Sequence, residues 1–199
     1  MRALLCRLVV LACLAAAAGA QAQQQQPANG LLLIAKPSLA DPNFARTVVL
    51  VTQTEDASTV GVILNRPSTL RLQQFLSGEF PTQNYREPLY LGGPVMRQAI
   101  VALYRAEAAP AAPAFHVLKR IYLSMHPDNI KQLLETSGAR YRLYAGFSGW
   151  APNQLQSEFM RDGWHVFPAE EEILFRKDHE RLWEELIERV RLRGPRASR

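Results

Sequence analysis

Three short strings carry the polar and aromatic groups best placed to touch a ligand: Asn65-Arg66-Pro67, Gly92-Gly93-Pro94 and Ser148-Gly149-Trp150, with Gln154 a few residues on. Each falls just after a run of strand-like residues, and loops at strand ends are where a rigid scaffold commonly presents binding groups. The Arg66 guanidinium and the carboxamides of Asn65 and Gln154 offer hydrogen bonds. Gly92 and Gly93 carry no Cβ and admit close backbone approach by a ligand or another chain. The candidate ligand-binding set is therefore Asn65, Arg66, Gly92, Gly93, Ser148, Gly149, Trp150 and Gln154. The same glycines and prolines would also suffice to shape tight turns and do nothing else.

Catalytic motifs with recognisable spacing are missing. The sequence has no glycine-rich phosphate loop and no His-Glu-x-x-His. Gly146-Phe147-Ser148-Gly149-Trp150 approaches a nucleophile elbow, but Trp150 stands where the tight turn needs its second glycine. His116, His126, His165 and His179 are not spaced to share a metal from one helix face. His126 and Asp128 flank Pro127 and read as a helix N-terminus, where Asp128 favours the dipole. His165 reads as an outward strand residue, His179 as a solvated residue of a last helix, and Glu170-Glu171-Glu172 as a solvated turn. No catalytic residue, metal ligand or cofactor is assigned.

These groups need elements to position them. Residues 31–35 form a continuous apolar run, the pattern of a buried strand. Residues 47–54 and 58–64 are rich in β-branched side chains and separated by Glu55-Asp56-Ala57, which predicts a hairpin. Further strands are expected at 90–95, 100–104, within 117–124, at 141–147 and at 164–167. Helical spacing appears at Leu70, Leu72, Phe75 and Leu76, ended by Gly78. Pro127 opens a helix with Ile130, Leu133 and Leu134 inward and Gly138 as its stop. Pro152 starts another, with Leu155 and Phe159 one turn apart. Asp178 caps a long helix whose Leu182, Trp183, Leu186, Ile187 and Val190 share a face. Trp150, Trp164 and Trp183 read as core anchors. Seven or eight strands and about four helices that do not alternate predict an α+β fold, a mixed α/β sheet with packed helices in a single domain at 30–193.

The two ends of the chain differ from its body. Arg2 and Arg7, an apolar stretch to Ala18 and then Ala20-Gln21-Ala22 have the order of an export signal. About a dozen apolar residues is too short to cross roughly 30 Å of hydrocarbon, so no transmembrane span is expected. The expectation is a signal peptide at 1–22, a Gln-rich linker at 23–29, and a periplasmic or secreted body. Val10-Leu11-Ala12-Cys13 offers a second route, a lipid anchor at Cys13 that would hold the chain in the envelope, and an uncleaved chain would be cytoplasmic. Cys6 and Cys13 both lie within 1–22, so the processed body has no thiol for disulfides, metals or nucleophilic attack. The chain holds 23 basic and 18 acidic residues, net +5. The excess sits at Arg2, Arg7 and the C-terminal arginines, Arg189 to Arg199, and the body between is close to neutral. That argues against nucleic acid as a partner, which wants a basic folded face. Residues 194–199 read as a basic, disordered tail.

Several strings taken in order resemble the AlgH/YqgE family. They are Gly30 to Ala35, Asp41-Pro42-Asn43-Phe44 with Arg46 to Leu50, Gly61 to Pro67, Leu91 to Val95, and Tyr144 to Leu155 with Glu158. The resemblance covers Gly30 to about Val190. It implies a bifurcated sheet curled into a pseudo-barrel with helices around it. It brings no established catalytic set, since that family is essentially uncharacterised, with one member linked to regulation of alginate production. Asn153 stands where the family usually has glycine, and family members are usually cytoplasmic and lack an export signal. Three functions stay open. The first is a non-enzymatic binding or regulatory module in the cell envelope, with an unknown protein or small-molecule partner. The second is a hydrolase-type enzyme assembled from Asn65, Arg66, Ser148 and Gln154. The third is a transcriptional regulator.

Overall fold

A computed structural model describes residues 30–76 and 78–193. The expectations for 1–22, for 23–29, for lipid at Cys13 and for 194–199 lie outside the described residues. Nine strands form a single forked sheet: β1 Leu31–Ala35, β2 Val48–Gln53, β3 Thr59–Ile63, β4 Tyr90–Leu91, β5 Val95–Arg105, β6 Phe115–Leu118, β7 Ile121–Ser124, β8 Tyr141–Trp150 and β9 Trp164–Pro168. Their order is β6-β7-β5-β8-β3-β2-β1-β9, with β4 paired to β8 off that path. The helices are α1 Pro127–Glu135, α2 Gln154–Met160, α3 Glu171–Leu174 and α4 Leu182–Arg193. The α+β reading of the sequence and its pseudo-barrel expectation hold.

The apolar patterns explain why this sheet is covered on both faces. In β1 and β2 every second residue points into the barrel, so Leu32, Ile34, Val48 and Leu50 join its interior with Val101, Leu103 and Tyr144. The alternate residues, Leu33, Ala35, Val49 and Val51, turn the other way and pack with Phe44, Trp150 and Trp164. A third core lies outside β5 and β8, where Ile100, Ala102, Leu143 and Ala145 meet Ile130, Leu133 and Leu134 of α1. A strand buried on both faces has no reason to alternate, which is why residues 31–35 are apolar throughout. Helices α3 and α4 close one end of the barrel with Ile173, Leu174, Leu182, Trp183, Leu186 and Ile187. Each such side chain contributes roughly 2 kcal/mol by leaving water. Trp183 also satisfies its indole by donating from Nε1 to the Ala35 carbonyl at 2.7 Å.

β8 is where the sheet divides. Its first half pairs with β4 in parallel, Tyr90 opposite Tyr144 and Leu91 opposite Ala145. Its second half pairs with β3, Gly61 opposite Ser148 and Thr59 opposite Trp150. Ser148, Gly149 and Trp150 are thus ladder residues inside a strand and not a loop after one, a correction forced by their pairing to β3. Two other sequence expectations fail for physical reasons. Residues 70–76 form only a 3-10 turn at Leu72–Gln74, because buried Leu72 anchors it to the core while Leu70 stays exposed. Glu171 is no solvated turn residue: it opens α3 and pairs with Arg105 and Arg140.

Candidate functional site

Seven of the eight residues singled out in the sequence converge on the fork or on the loop at 41–46, whereas Gln154 bonds Ala151 in the turn before α2. Gly92 sits in the crotch. Its N–H donates to the Ala145 carbonyl at 2.9 Å, and its own carbonyl accepts from the Ile63 N–H at 2.9 Å and the Ser148 hydroxyl at 3.0 Å. A Cβ on Gly92 would lie 2.2 Å from the Gly146 carbonyl oxygen, and one on Gly93 would lie 2.3 Å from the Phe147 carbonyl. The close backbone approach these glycines permit is therefore made by β8 of the same chain.

The other polar groups hold the loop at 41–46. Asn65 accepts from the Val48 N–H and donates to the Arg46 carbonyl, both at 2.9 Å. Arg66 donates to the carbonyls of Asn43, Pro42 and Ala45 at 2.6, 3.2 and 3.4 Å. Burial lowers the pKa of its guanidinium, partly opposed by the Asp41 charge. From the opposite side Trp150 stacks on Phe44 with ring centroids 5.5 Å apart. Glu158 then accepts from the indoles of both Trp150 and Trp164, at 3.1 and 2.9 Å. Gln154 accepts from the Ala151 N–H at 3.0 Å and caps the turn into α2. Gly149 lies against the Phe147 ring. Ser148 is fully buried and spends its hydroxyl on Gly92.

Beside this scaffold lies a cleft of about 360 Å³. Asn43 and Arg66 form one wall, Gly93, Pro94, Arg97 and Gln98 another, and Ile63, Leu70, Phe75, Leu91 and Ala145 supply an apolar surface. Arg97 and Gln98 were not picked out from sequence. They enter the cleft because β5 bulges: Val95 opposes Phe147 and Ile100 opposes Ala145, so residues 96–99 face only Gly146 across the gap. Met96 takes φ 43° there and is 64% exposed. A non-glycine residue in that region costs about 1–2 kcal/mol, and such outliers with bulges are common beside functional sites. The sequence signal was the polar pair Arg97-Gln98 interrupting an apolar approach to Ile100.

A larger cavity of about 920 Å³ opens between the β2–β3 hairpin and β6. Several of its polar groups are engaged close by: Asp56 with Thr54 and Ser58, His126 with the Asp128 N–H at the start of α1, His116 with the Lys119 carbonyl, and Ser124 with the Pro113 carbonyl, while Glu55 and Asp56 put carboxylates on its wall. The smaller cleft is the better candidate because, among the described residues, Arg97 on its wall has no carboxylate partner, while Arg66 makes no ion pair and feels only the more distant charge of Asp41. Among the described residues the Arg97 guanidinium has neither an ion pair nor a hydrogen bond, and no acid lines the cleft. No group of three or more His, Cys, Asp or Glu that could hold a metal occurs among the described residues.

A second buried cluster was missed from sequence. Arg142, 3% exposed at its side chain, donates to the carbonyls of Leu174 and Arg176 and to Nδ1 of His179 at 3.1, 2.9 and 2.7 Å. It also covers the Tyr90 ring at 4.8 Å. His179 is only 1% exposed and precedes α4. The expected solvated histidine in a helix begun at Asp178 is therefore corrected: the backbone from 175 to 181 is irregular, with the Arg176 carbonyl and the His179 ring turned inward to Arg142. The only signal in the sequence was an arginine between apolar neighbours in a strand.

The forked pseudo-barrel is a scaffold that this chain shares with other proteins. The chain belongs to the AlgH-like family, whose model matches residues 32–193. A UPF0301 protein of Rhodococcus jostii is 35% identical over 147 residues, covering 70% of this chain and 71% of the relative. The solution structure of the AlgH protein from Pseudomonas aeruginosa superposes with TM-score 0.66 at 26% identity, over 89% of this chain and 99% of that one. The crystal structure of protein DIP2367 from Corynebacterium diphtheriae gives TM-score 0.64 at 29% identity, over 83% and 88%.

Proposed function

We propose that this chain is a non-enzymatic binding or regulatory module exported to the cell envelope, and that its ligand seat is the cleft beside the fork. The observation that carries the seat is the pair Arg66 and Arg97 on one small cleft with no carboxylate among its walls. Arg97 is exposed and makes no ion pair among the described residues, so its fork is free to take an anionic ligand beside apolar surface that a ligand would cover. The reading as a hydrolase loses its nucleophile, because Ser148 is buried in a ladder with its proton committed to Gly92. Export is supported by the charged, apolar and small-residue order of residues 1–22, and a near-neutral body is a poor match for promoter DNA.

The test is an amide-resolved NMR screen of the protein against a diverse fragment library. Hits are expected to move the amides of Ile63, Leu91, Gly93, Gln98 and Ala145. Shifts that cluster instead around His116 and His126 would transfer the seat to the larger cavity and overturn the assignment.

A further inference from the structure

Resting on the cleft being the ligand seat, the geometry points to its ligand class: a small amphipathic oxyanion, a carboxylate or phosphate monoester on a short apolar body, held at its head by Arg97 with Arg66 behind it. Three independent features agree. The first is charge. The Arg97 guanidinium is exposed with no partner among the described residues, and Arg66 donates to three neutral carbonyls without an ion pair, the Asp41 charge acting on it from farther off. The open Arg97 fork matches the paired oxygens of a carboxylate or phosphate better than any neutral group, and the Arg66 charge behind it adds attraction while its own terminal nitrogens hold the loop. The second is the wall. Leu70 and Leu91 are 38% and 40% exposed, and both line the cleft with Phe75, which favours a ligand carrying apolar surface directly behind its charge. The third is backbone. Residues 96–99 leave the ladder opposite Gly146, and Met96 adopts a left-handed conformation to do so. A regular strand would alternate Arg97 and Gln98 across its two faces, whereas the bulge brings both to the cleft. At about 360 Å³ the space sits at the small end of the range for small-molecule sites.

The probes are octanoate, octyl phosphate and 1-octanol, titrated into the purified protein with amide NMR as readout. Octanoate or octyl phosphate is expected to move the amides of Leu91, Gly93 and Gln98 saturably, the tighter of the two identifying the head group. Octanol should bind at least about tenfold more weakly, since a hydrogen bond to a charged group is lost. Arg97→Gln, which removes no contact of the fold, should weaken the better anion about tenfold with the rest of its spectrum unchanged, and Arg97→Lys should restore part of the loss as a point charge. Octanol binding as tightly as the anions, or Arg97→Gln binding unchanged, overturns the ligand class. If neutral fragments move these amides while both anions do not, the class fails and the binding reading survives. If no compound of any kind moves them, both fail.

Discussion

Arg142 and His179 show how one buried cation dictates the state of its neighbours. Nε2–H of His179 donates to the Ile173 carbonyl at 3.0 Å, so Nδ1 is the acceptor for Arg142; this tautomer is assigned from the hydrogen-bond network. A proton on Nδ1 would have to face the guanidinium inside the protein. Burial, and then the Arg142 charge, push the pKa of His179 down to about 4. The unfolded chain has the ordinary value near 6.5. A depressed histidine pKa means the unfolded state binds the proton more readily. The stability from keeping His179 neutral is therefore fully present above pH 6.5 and is lost as the pH falls toward 4, by about 3 kcal/mol. Urea unfolding at pH 7 and at pH 4.5 should show most of that loss. A His179→Gln variant should show a shallower dependence over the same interval, and an unchanged slope would assign the acid sensitivity to other groups.

At the scale of elements, the β4–β5 connection and β8 are built around one another. Gly92 ties two strands together, bonding Ile63 of β3 and both Ala145 and the Ser148 hydroxyl of β8. Gly92→Ala would drive a methyl carbon to 2.2 Å from a backbone oxygen that cannot rotate away. The expected cost exceeds about 3 kcal/mol, with the fork opened. Gly138→Ala is the control. Its Cβ would meet nothing within 4 Å, so only the left-handed backbone at φ 74° is penalised, about 1 kcal/mol. Thermal unfolding of the two variants side by side decides it: equal losses would mean the crotch relaxes and the fork does not depend on that approach. Asn153 makes the complementary point. It stands where the family resemblance leads one to expect glycine, and it holds φ 65°, a conformation asparagine tolerates better than other side chains.

For the whole molecule the compartment is the governing question. The body has no cysteine and a near-zero net charge, and among the described residues no helix is long and apolar enough to cross a membrane. A chain processed after Ala22 would begin at Gln23 and reach the envelope without needing a reducing environment. Intact mass of the protein recovered from fractionated cells is expected to match a chain from Gln23 to Arg199 in the envelope fraction. A mass corresponding to Met1 onward in the cytosol would sink the export reading and return gene regulation to consideration. A lipid-modified mass starting at Cys13 would replace release by anchoring.

Residue order alone determined the fold class, the β2–β3 hairpin, the N-terminus of α1 at His126 and Pro127, and the burial of all three tryptophans, because these depend on local periodicity and on apolar bulk. It also located the glycines and polar groups of the fork, since their strings are unusual wherever they occur. What those groups bond to was decided only in three dimensions. Arg66 and Asn65 tie down a loop some twenty residues away, and Ser148 joins a ladder whose partner strand lies far back in the chain. Arg97 enters the cleft through a bulge that no spacing rule announces. His179 looked solvated because its neighbours Asp178 and Glu180 are, yet the nearest charge it answers to is Arg142. Periodicity reports which face of an element is buried; it carries no information about which distant carbonyl or cation waits on that face.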